Sequence, residues 1–124
     1  MRYNPYLKHF KCNENLWLEY NGPKPKTAKE AFLISLAKWE FISKHPTPAQ
    51  LDDGADATCG LCMYFVDCDE CPIGKKSKER CLCTPYEEYA ESFENDVARK
   101  YAKQEYDFIE RLYKKHLMKE AKRR

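Results

Sequence analysis

The sequence has few aliphatic side chains, because Val, Ile, Leu and Phe together account for only 22 of its 124 residues. A fraction this low is typical of disordered chains when the net charge is also large. The formal net charge here is only +2, and nine Tyr, two Trp and seven Cys supply other bulky side chains. A small domain with so little aliphatic core usually depends on a cross-link such as a metal ion or disulfides.

Long apolar runs are also absent. The longest nearly apolar run, residues 31–37, is interrupted by Ser35, whereas a membrane-spanning helix needs about 20 apolar residues. The amino-terminal residues lack the apolar stretch of a secretory signal. We therefore expect no membrane association and a cytoplasmic location, where thiols stay reduced. This location favours metal binding over disulfides as the role of the cysteines.

Glycine and histidine are scarce, with four and three residues respectively. The sequence contains no glycine-rich phosphate loop, and His9, His45 and His116 lie in no context that would make one of them a general base. Surface or capping roles are expected for all three. A deaminase-like zinc site would pair a Cys-x-x-Cys motif with an upstream His-x-Glu motif, which the sequence lacks. These absences predict a protein that is not an enzyme and has no small-molecule substrate.

The sequence does contain a cluster of six cysteines within 25 residues. Its members are Cys59, Cys62, Cys68, Cys71, Cys81 and Cys83. The first four form two Cys-x-x-Cys pairs, and two such turns supply the tetrahedral four-sulfur shell that zinc prefers in structural sites. The spacing therefore predicts one structural Zn²⁺ ion.

The choice of the four ligands stays open. The simplest set is Cys59, Cys62, Cys68 and Cys71. Cys81 competes for one position because it lies just before a predicted helix, which a ligand there would fix to the metal site. Cys83 would do the same less directly. Cys12 lies apart from the cluster, among aromatic residues, and is interpreted as a small buried side chain.

Other cysteine chemistries remain as alternatives. Iron–sulfur clusters also take four cysteines, but no sequence feature indicates an electron-transfer partner. A redox-active pair, which cycles through a disulfide, is expected to open a helix beside a strand. Neither Cys-x-x-Cys pair precedes a convincing helical pattern, so zinc is the preferred prediction.

The patterns predict a small, mainly α single domain in which two helices, at about residues 27–45 and 85–120, are joined by a zinc-binding segment. Residues 1–26 form an extended aromatic arm with a short strand at Leu16 to Tyr20. The zinc knuckle, defined as residues 46–83, is rich in loops. Residues 84–124 form one helix, or two helices with a bend.

The first helix has a clear start and end. Thr27 followed by Glu30 is a capping box, and Pro46 and Pro48 cannot continue a helix beyond His45. Apolar residues at intervals of three or four predict one buried face between these limits. They are Ala28, Phe32, Leu36, Trp39 and Ile42.

The second helix has similar signals at its start. Thr84 is the expected N-cap, Pro85 the first helical residue and Glu87 the partner in a second capping box. Two apolar stripes with a shifted phase follow, which indicates two packing partners. The first comprises Tyr86, Ala90, Phe93 and Val97, and the second comprises Tyr106, Ile109, Tyr113 and Leu117.

Charge is segregated along the chain. Residues 46–74 contain six acids and no Lys or Arg, residues 74–80 contain four bases and one acid, and residues 99–124 carry a net charge of +6. The candidate partner-binding residues are Asp52, Asp53, Asp56, Lys75, Lys76 and Lys78. Basic residues beside a zinc knuckle are typical of phosphate binding. The acidic segment and the small total charge favour a protein partner instead.

Several of these motifs resemble a known group of proteins. Lys38-Trp-Glu-Phe-Ile42, the two Cys-x-x-Cys pairs followed by Pro72-Ile73, Cys81 and Thr84-Pro-Tyr86 resemble small cysteine-cluster proteins encoded by bacteriophages and prophages. The chain also resembles metal-containing anti-CRISPR inhibitors of type II RNA-guided nucleases. The resemblance covers about residues 27–90, and such phage proteins often have Gly at the position of Cys83, which argues against Cys83 as a ligand.

The resemblance implies a bacterial cytoplasm, structural zinc and action by binding. We therefore expect a phage protein that evades antiviral defence by binding and inhibiting a host protein, the RNA-guided nuclease of a defence system. Inhibition would block DNA loading or activation of the nuclease. The alternative is a zinc-knuckle protein that binds DNA or RNA directly for phage regulation or recombination.

Overall fold

Helices make up most of the computed structural model, which describes residues 4–53, 59–64 and 89–122. The elements are β1 (Phe10–Cys12), β2 (Leu18–Tyr20), α1 (Ala28–Lys44), α2 (Gly60–Tyr64) and α3 (Asn95–Lys122), with 3-10 turns at Leu7–His9 and Pro48–Gln50. The prediction of a small, mainly α single domain is confirmed. No helix within these three ranges has the length and apolar character needed to cross a membrane.

Helix α1 begins and ends where the sequence predicts. The Oγ1 of Thr27 accepts a hydrogen bond from the amide of Glu30 at 3.2 Å. The Glu30 carboxylate accepts from the amide of Lys26 at 3.1 Å, one residue before the amide that a standard capping box would use. At the other end His45 leaves the helical conformation and its amide bonds to the carbonyl of Ile42. Local capping chemistry and the following prolines therefore fix both ends of α1.

The burial of α1 is wider than the single apolar face predicted for it. Ten of its residues are buried, and they occur at almost every position between Ala31 and Ile42. Ala28, which was predicted on the buried face, is only half-buried. The prediction was too narrow because α1 packs against α2, α3, β1 and both 3-10 turns, so several of its faces are covered.

The amino-terminal arm is a β-hairpin rather than an extended segment. Strand β1 pairs antiparallel with β2, with Phe10 opposite Tyr20. Their rings lie 4.9 Å apart, and the Phe10 ring lies 6.5 Å from Phe41 of α1. The expected strand is therefore confirmed in part, over residues 18–20. The hairpin places aromatic rings on α1, while Trp17 at its tip is 60% exposed.

The carboxyl-terminal segment is not one continuous helix, which leaves the predicted alternative of two helices with a bend. Residues 89–90 are helical, residues 91–94 are not, and α3 starts at Asn95. Phe93, expected in the first apolar stripe, is 96% exposed, and Ala90 and Val97 are exposed as well. Thr84, Pro85, Tyr86 and Glu87 lie outside the described residues. The first stripe therefore does not form a packing face among the residues that the structure describes.

The buried face of α3 differs in part from the predicted second stripe. Ile109 and Tyr113 are buried as expected, but Tyr106 is only half-buried and Leu117 is exposed. The residues that α3 does bury follow helical spacing along the whole contact with α1. They are Ala98, Ala102, Glu105, Ile109, Leu112 and Tyr113.

Helices α1 and α3 run antiparallel. The ring of Phe32, near the start of α1, lies 5.4 Å from that of Tyr113. At the opposite end, the Arg99 guanidinium donates to the carbonyls of His45 and Pro46 at 3.1 and 3.3 Å. The 3-10 turn Pro48–Gln50 also contacts the start of α3, because the amide of Ala49 donates a hydrogen bond to the side chain of Asn95.

Candidate metal centre

The first Cys-x-x-Cys pair lies at the start of α2. Cys59 immediately precedes the helix. Its carbonyl accepts a hydrogen bond from the amide of Met63 at 3.1 Å, and this bond closes the first turn of α2. Cys62 follows within that turn. The short helix thus brings both cysteines of the pair into one helical turn next to α1.

Gly60 allows this turn to lie directly on α1. A Cβ at this position would lie 2.5 Å from the carbonyl oxygen of Ala31 and 2.6 Å from the Cβ of Ile34. Separations below 3.0 Å are essentially never seen for a real Cβ, so any larger residue would push α2 away. The next residue, Leu61, is fully buried in the core. The two residues between the cysteines therefore position the pair, one by close approach and one by burial.

Ser35 connects the backbone of α2 to the sulfur of Cys59. Its Oγ accepts the amide of Leu61 at 3.0 Å and lies 3.4 Å from the Sγ of Cys59. Ser35 is completely buried on α1. Cys59, which packs against the hydrophobic core, therefore has a buried hydroxyl of α1 next to its sulfur.

The position of α2 corrects one argument used against redox chemistry. We expected neither Cys-x-x-Cys pair to open a helix, yet α2 begins directly after Cys59. The second half of the redox pattern, a neighbouring strand, does not accompany it in the described ranges, where α2 packs on α1. Zinc remains the preferred prediction for the pair.

The other predicted ligands, Cys68, Cys71 and Cys81, lie outside the described residues, as does Cys83. Within residues 4–53, 59–64 and 89–122, no group of three or more His, Cys, Asp or Glu residues is close enough to hold a metal ion. Of the predicted ligands, Cys59 and Cys62 therefore lie within the described residues, and this pair, one half of the predicted site, is called the half-site. Cys12 is half-buried on the hairpin, where it packs against the core and its thiol lies 3.4 Å from the carbonyl of Asn13.

The donor chemistry of this half-site fits zinc. Structural zinc sites take cysteine thiolates, commonly from Cys-x₂-Cys spacings, and partner groups outside the ligand shell orient those thiolates. The sulfur of Cys59 lies beside a buried hydroxyl that can donate to it. Two more sulfurs from the other predicted ligands would complete the four-sulfur shell of a cross-linking zinc ion.

The acidic candidates divide into different environments. Asp52 is exposed, and its backbone pairs with the hairpin, accepting the amide of Leu18 and donating to the carbonyl of Leu16, both at 2.8 Å. Asp53 instead lies 3.0 Å from the Nζ of Lys38, and the two side chains are only 15% and 3% exposed. Asp53 therefore supports the fold. Asp56, Lys75, Lys76 and Lys78 lie outside the described residues.

The three histidines occupy structural positions. His45 ends α1, and its Nδ1 accepts the amide of Thr47 at 3.1 Å. The ring of His116 lies 5.3 Å from Phe32, and that of His9 lies 6.2 Å from Tyr20. His45 thus has the expected capping role, whereas His9 and His116 are half-buried against aromatic rings rather than exposed on the surface.

Sequence reasoning missed Ser35 and Gly60, although both carried a signal. Ser35 is the one polar residue in the longest nearly apolar run, and Gly60 is one of only four glycines in the chain. A buried hydroxyl needs a hydrogen-bond partner, and an isolated glycine often marks close approach of backbone. Which partners they have depends on packing between distant segments, which no local pattern encodes.

Comparison with known proteins adds no relative. No protein-family model, no curated protein and no solved structure matches this chain.

Proposed function

We propose that this chain is a structural zinc protein in which the metal fastens the cysteine segment to α1. The observation that carries the proposal is the seating of Cys59-Gly-Leu-Cys62 on α1 through Gly60 and Leu61. Cys59 and Cys62 supply two thiolates, and two of Cys68, Cys71 and Cys81 supply the others. Zinc at this place cross-links parts of the chain that a thin aliphatic core holds weakly.

The zinc proposal is tested by metal content and stability. Purified protein is expected to contain one zinc per chain, and a strong chelator should abolish cooperative unfolding, because structural zinc contributes on the order of 10 kcal/mol to small modules. Cys59→Ser should lower the zinc content, whereas Cys12→Ser, on the hairpin and outside the predicted ligand set, should retain it. Protein that holds no zinc, or that unfolds identically with and without chelator, contradicts the proposal.

We further propose that the assembled domain acts without catalysis, by binding and inhibiting a host protein in the cytoplasm of a bacterial cell. The type II RNA-guided nuclease implied by the sequence resemblance is the leading target. The exposed Asp52, within the acid-rich zinc knuckle, supports this choice, since acidic side chains can occupy a channel that normally binds phosphates. The inhibited step would be DNA loading or activation of the nuclease.

A pull-down from a nuclease-bearing bacterial lysate, followed by a DNA-cleavage assay with the captured nuclease, tests this function. We expect co-purification and reduced cleavage. Asp52→Asn should weaken both effects, while the charge-neutral change Gln50→Ala, at an exposed residue two positions earlier, is the control. Asp53 must be left intact, because its neutralisation would remove an ion-pair partner of the buried Lys38. Absence of inhibition across type II nucleases contradicts the assignment.

Direct binding of nucleic acid is the second candidate, favoured by the far end of α3. Lys114, Lys119 and Lys122 are exposed there, and the acids over residues 111–122 are limited to Glu120. Such binding should weaken steeply as salt increases. Lys114→Ala, Lys119→Ala and Lys122→Ala together should lower the affinity for duplex DNA and reduce its salt dependence. Protein that shifts no DNA or RNA at low salt contradicts this candidate.

A further inference from the structure

Ser35 is a buried hydroxyl between two helices. It lies in the nearly apolar run of α1, with no exposed surface, and faces the start of α2. Transferring a hydroxyl from water into such a place is unfavourable unless its hydrogen-bonding capacity is used. Alanine would fit helix α1 better by intrinsic preference. The hydroxyl therefore has a role that its helix does not require.

The directions of its hydrogen bonds follow from the chemistry of its partners. The amide of Leu61 can only donate, so the Oγ of Ser35 accepts at that contact, which measures 3.0 Å. A serine hydroxyl has one hydrogen to donate in addition to its acceptor sites. The Sγ of Cys59, 3.4 Å away, lies within range of that hydrogen. One oxygen thus joins the backbone of α2 to the first sulfur of the Cys-x-x-Cys pair.

The ionisation state of Cys59 decides which atom donates across the second contact. A neutral thiol can donate or accept, but a metal-bound thiolate can only accept. With Cys59 as thiolate, the chain of contacts has a single consistent direction, from the Leu61 amide to the Ser35 hydroxyl and from that hydroxyl to the sulfur. The arrangement therefore matches a thiolate at Cys59 without rearrangement.

We propose that Ser35 is a positioning residue for zinc binding, which donates its hydroxyl hydrogen to the Cys59 thiolate and holds that sulfur in place for the metal. This inference rests on the proposed zinc site. Partners of this kind orient metal ligands and tune their electron donation. Ser35 also ties the sulfur to the backbone of α2, so the orientation of Cys59 and the seating of α2 depend on the same side chain.

The first test compares Ser35→Ala with Ser43→Ala. Ser43 lies on the same helix and donates only to the carbonyl of Glu40, at 2.9 Å, so its loss controls for removal of a serine hydroxyl from α1. Zinc affinity is measured by competition with a chromogenic chelator. Loss of an outer-shell partner typically lowers metal affinity by about 10- to 100-fold. We expect a loss in that range for Ser35→Ala and little change for Ser43→Ala.

A second measurement separates ligand orientation from simple support of α2. With Co²⁺ as the probe metal, sulfur-to-metal charge-transfer absorption reports on the thiolates themselves. Loss of a hydrogen bond to a thiolate makes the sulfur a stronger electron donor, so the band should move to longer wavelength in Ser35→Ala. Ser35→Thr keeps the hydroxyl, and its band should stay at the wild-type position even if the added methyl group lowers stability.

The outcomes distinguish the two levels of the proposal. Wild-type protein that binds neither Zn²⁺ nor Co²⁺ overturns the zinc site and the role of Ser35 with it. If Ser35→Ala binds zinc with the affinity of the wild-type protein, and its Co²⁺ charge-transfer band does not move, the zinc site stands and the role of Ser35 is overturned.

Discussion

Gly60 lies against the carbonyl oxygen of Ala31, so closely that a Cβ on residue 60 would be 2.5 Å from that oxygen. This contact joins the start of α2 to α1 at the point where the first Cys-x-x-Cys pair lies. The neighbouring atoms on α1 are backbone and the branched Cβ of Ile34, neither of which can rotate away. The close packing of α2 on α1 therefore requires a glycine at position 60.

Gly60→Ala is expected to destabilise the protein and displace α2. Forcing an extra methyl group into a well-packed core typically costs about 1–3 kcal/mol, and the overlap here involves fixed atoms. Chemical denaturation measures the change in the free energy of unfolding. Gly22→Ala is the contrast, since an added Cβ there would also come within 3.0 Å of other atoms, but these belong to the side chains of Tyr20 and His9 and not to backbone. An equal or smaller loss for Gly60→Ala would contradict the close contact.

The ion pair between Lys38 and Asp53 should be needed for stability. Asp53→Ala leaves the Lys38 ammonium, only 3% exposed, without this carboxylate, and removing one partner of a buried pair typically costs about 3–5 kcal/mol. Urea unfolding at neutral pH measures the effect. Lys11→Ala, which breaks the exposed pair with Glu19, should change stability by about 1 kcal/mol or less. Similar losses in both variants would show that the environment of Lys38 is not desolvated.

Arg99 fastens the end of α1 to α3. Its guanidinium donates to two carbonyls beyond α1 and to Asp96 on its own helix. A hydrogen bond to a charged group contributes about 1.5–3 kcal/mol, and partial exposure of Arg99 places Arg99→Ala near the lower limit. Arg99→Lys should recover little, because an ammonium lacks the planar fork that reaches several acceptors. Thermal unfolding measures both, with Lys114→Ala as control. Full recovery by lysine would contradict the fork geometry.

Deprotonation of Tyr20 is expected to lower the stability of the fold at alkaline pH. Burial, with smaller contributions from Tyr6 and Glu30, raises the pKa of Tyr20 from 10.0 to about 12, and its hydroxyl donates to the carbonyl of Pro23. In the unfolded chain the phenol loses its proton near pH 10, while the folded chain keeps it to about pH 12. The native state then binds more protons, so stability is fully present below pH 10 and falls from pH 10 to pH 12.

The pH dependence is measured by urea unfolding at several values across that window. Tyr20→Phe should be less stable than wild type at neutral pH, because it loses the hydrogen bond to Pro23. Its stability should decline less between pH 10 and 12. Parallel curves for the two proteins would contradict the raised pKa.

The sequence predicted α1 well because its boundaries depend on neighbours in the chain. Thr27 bonds to an amide three residues away, and Pro46 stops the helix by its own covalent structure. The sequence allowed either one helix or two helices with a bend over residues 84–124, but it did not locate the break at residues 91–94. Phe93 matched a helical apolar stripe, yet it lies on the surface in a break between helical segments. Periodicity records spacing, and it does not record whether a partner exists to cover the side chain.

The burial of polar residues in the core could not be predicted from the neighbouring sequence. Lys38 reads as a solvent-facing residue of an amphipathic helix, but Asp53, fifteen positions later, allows its burial. The half-site could be predicted as far as the residue types and the Cys59-x-x-Cys62 spacing. Its attachment through Ser35 could not, because the contact joins residues 24 positions apart. In each case the missing information lies in the pairing of distant segments.

The central place of α1 has a consequence for folding and for dissection of the chain. Helix α1 is buried between two segments that lie on either side of it in the sequence. The preceding hairpin packs on it through Phe10 and Phe41, and the following α3 packs on it through Phe32 and Tyr113. Neither half of the polypeptide alone can shield it from water. A fragment of residues 1–53 and a fragment of residues 54–124 should each expose apolar surface, and mixing them with Zn²⁺ present should restore a native assembly by complementation.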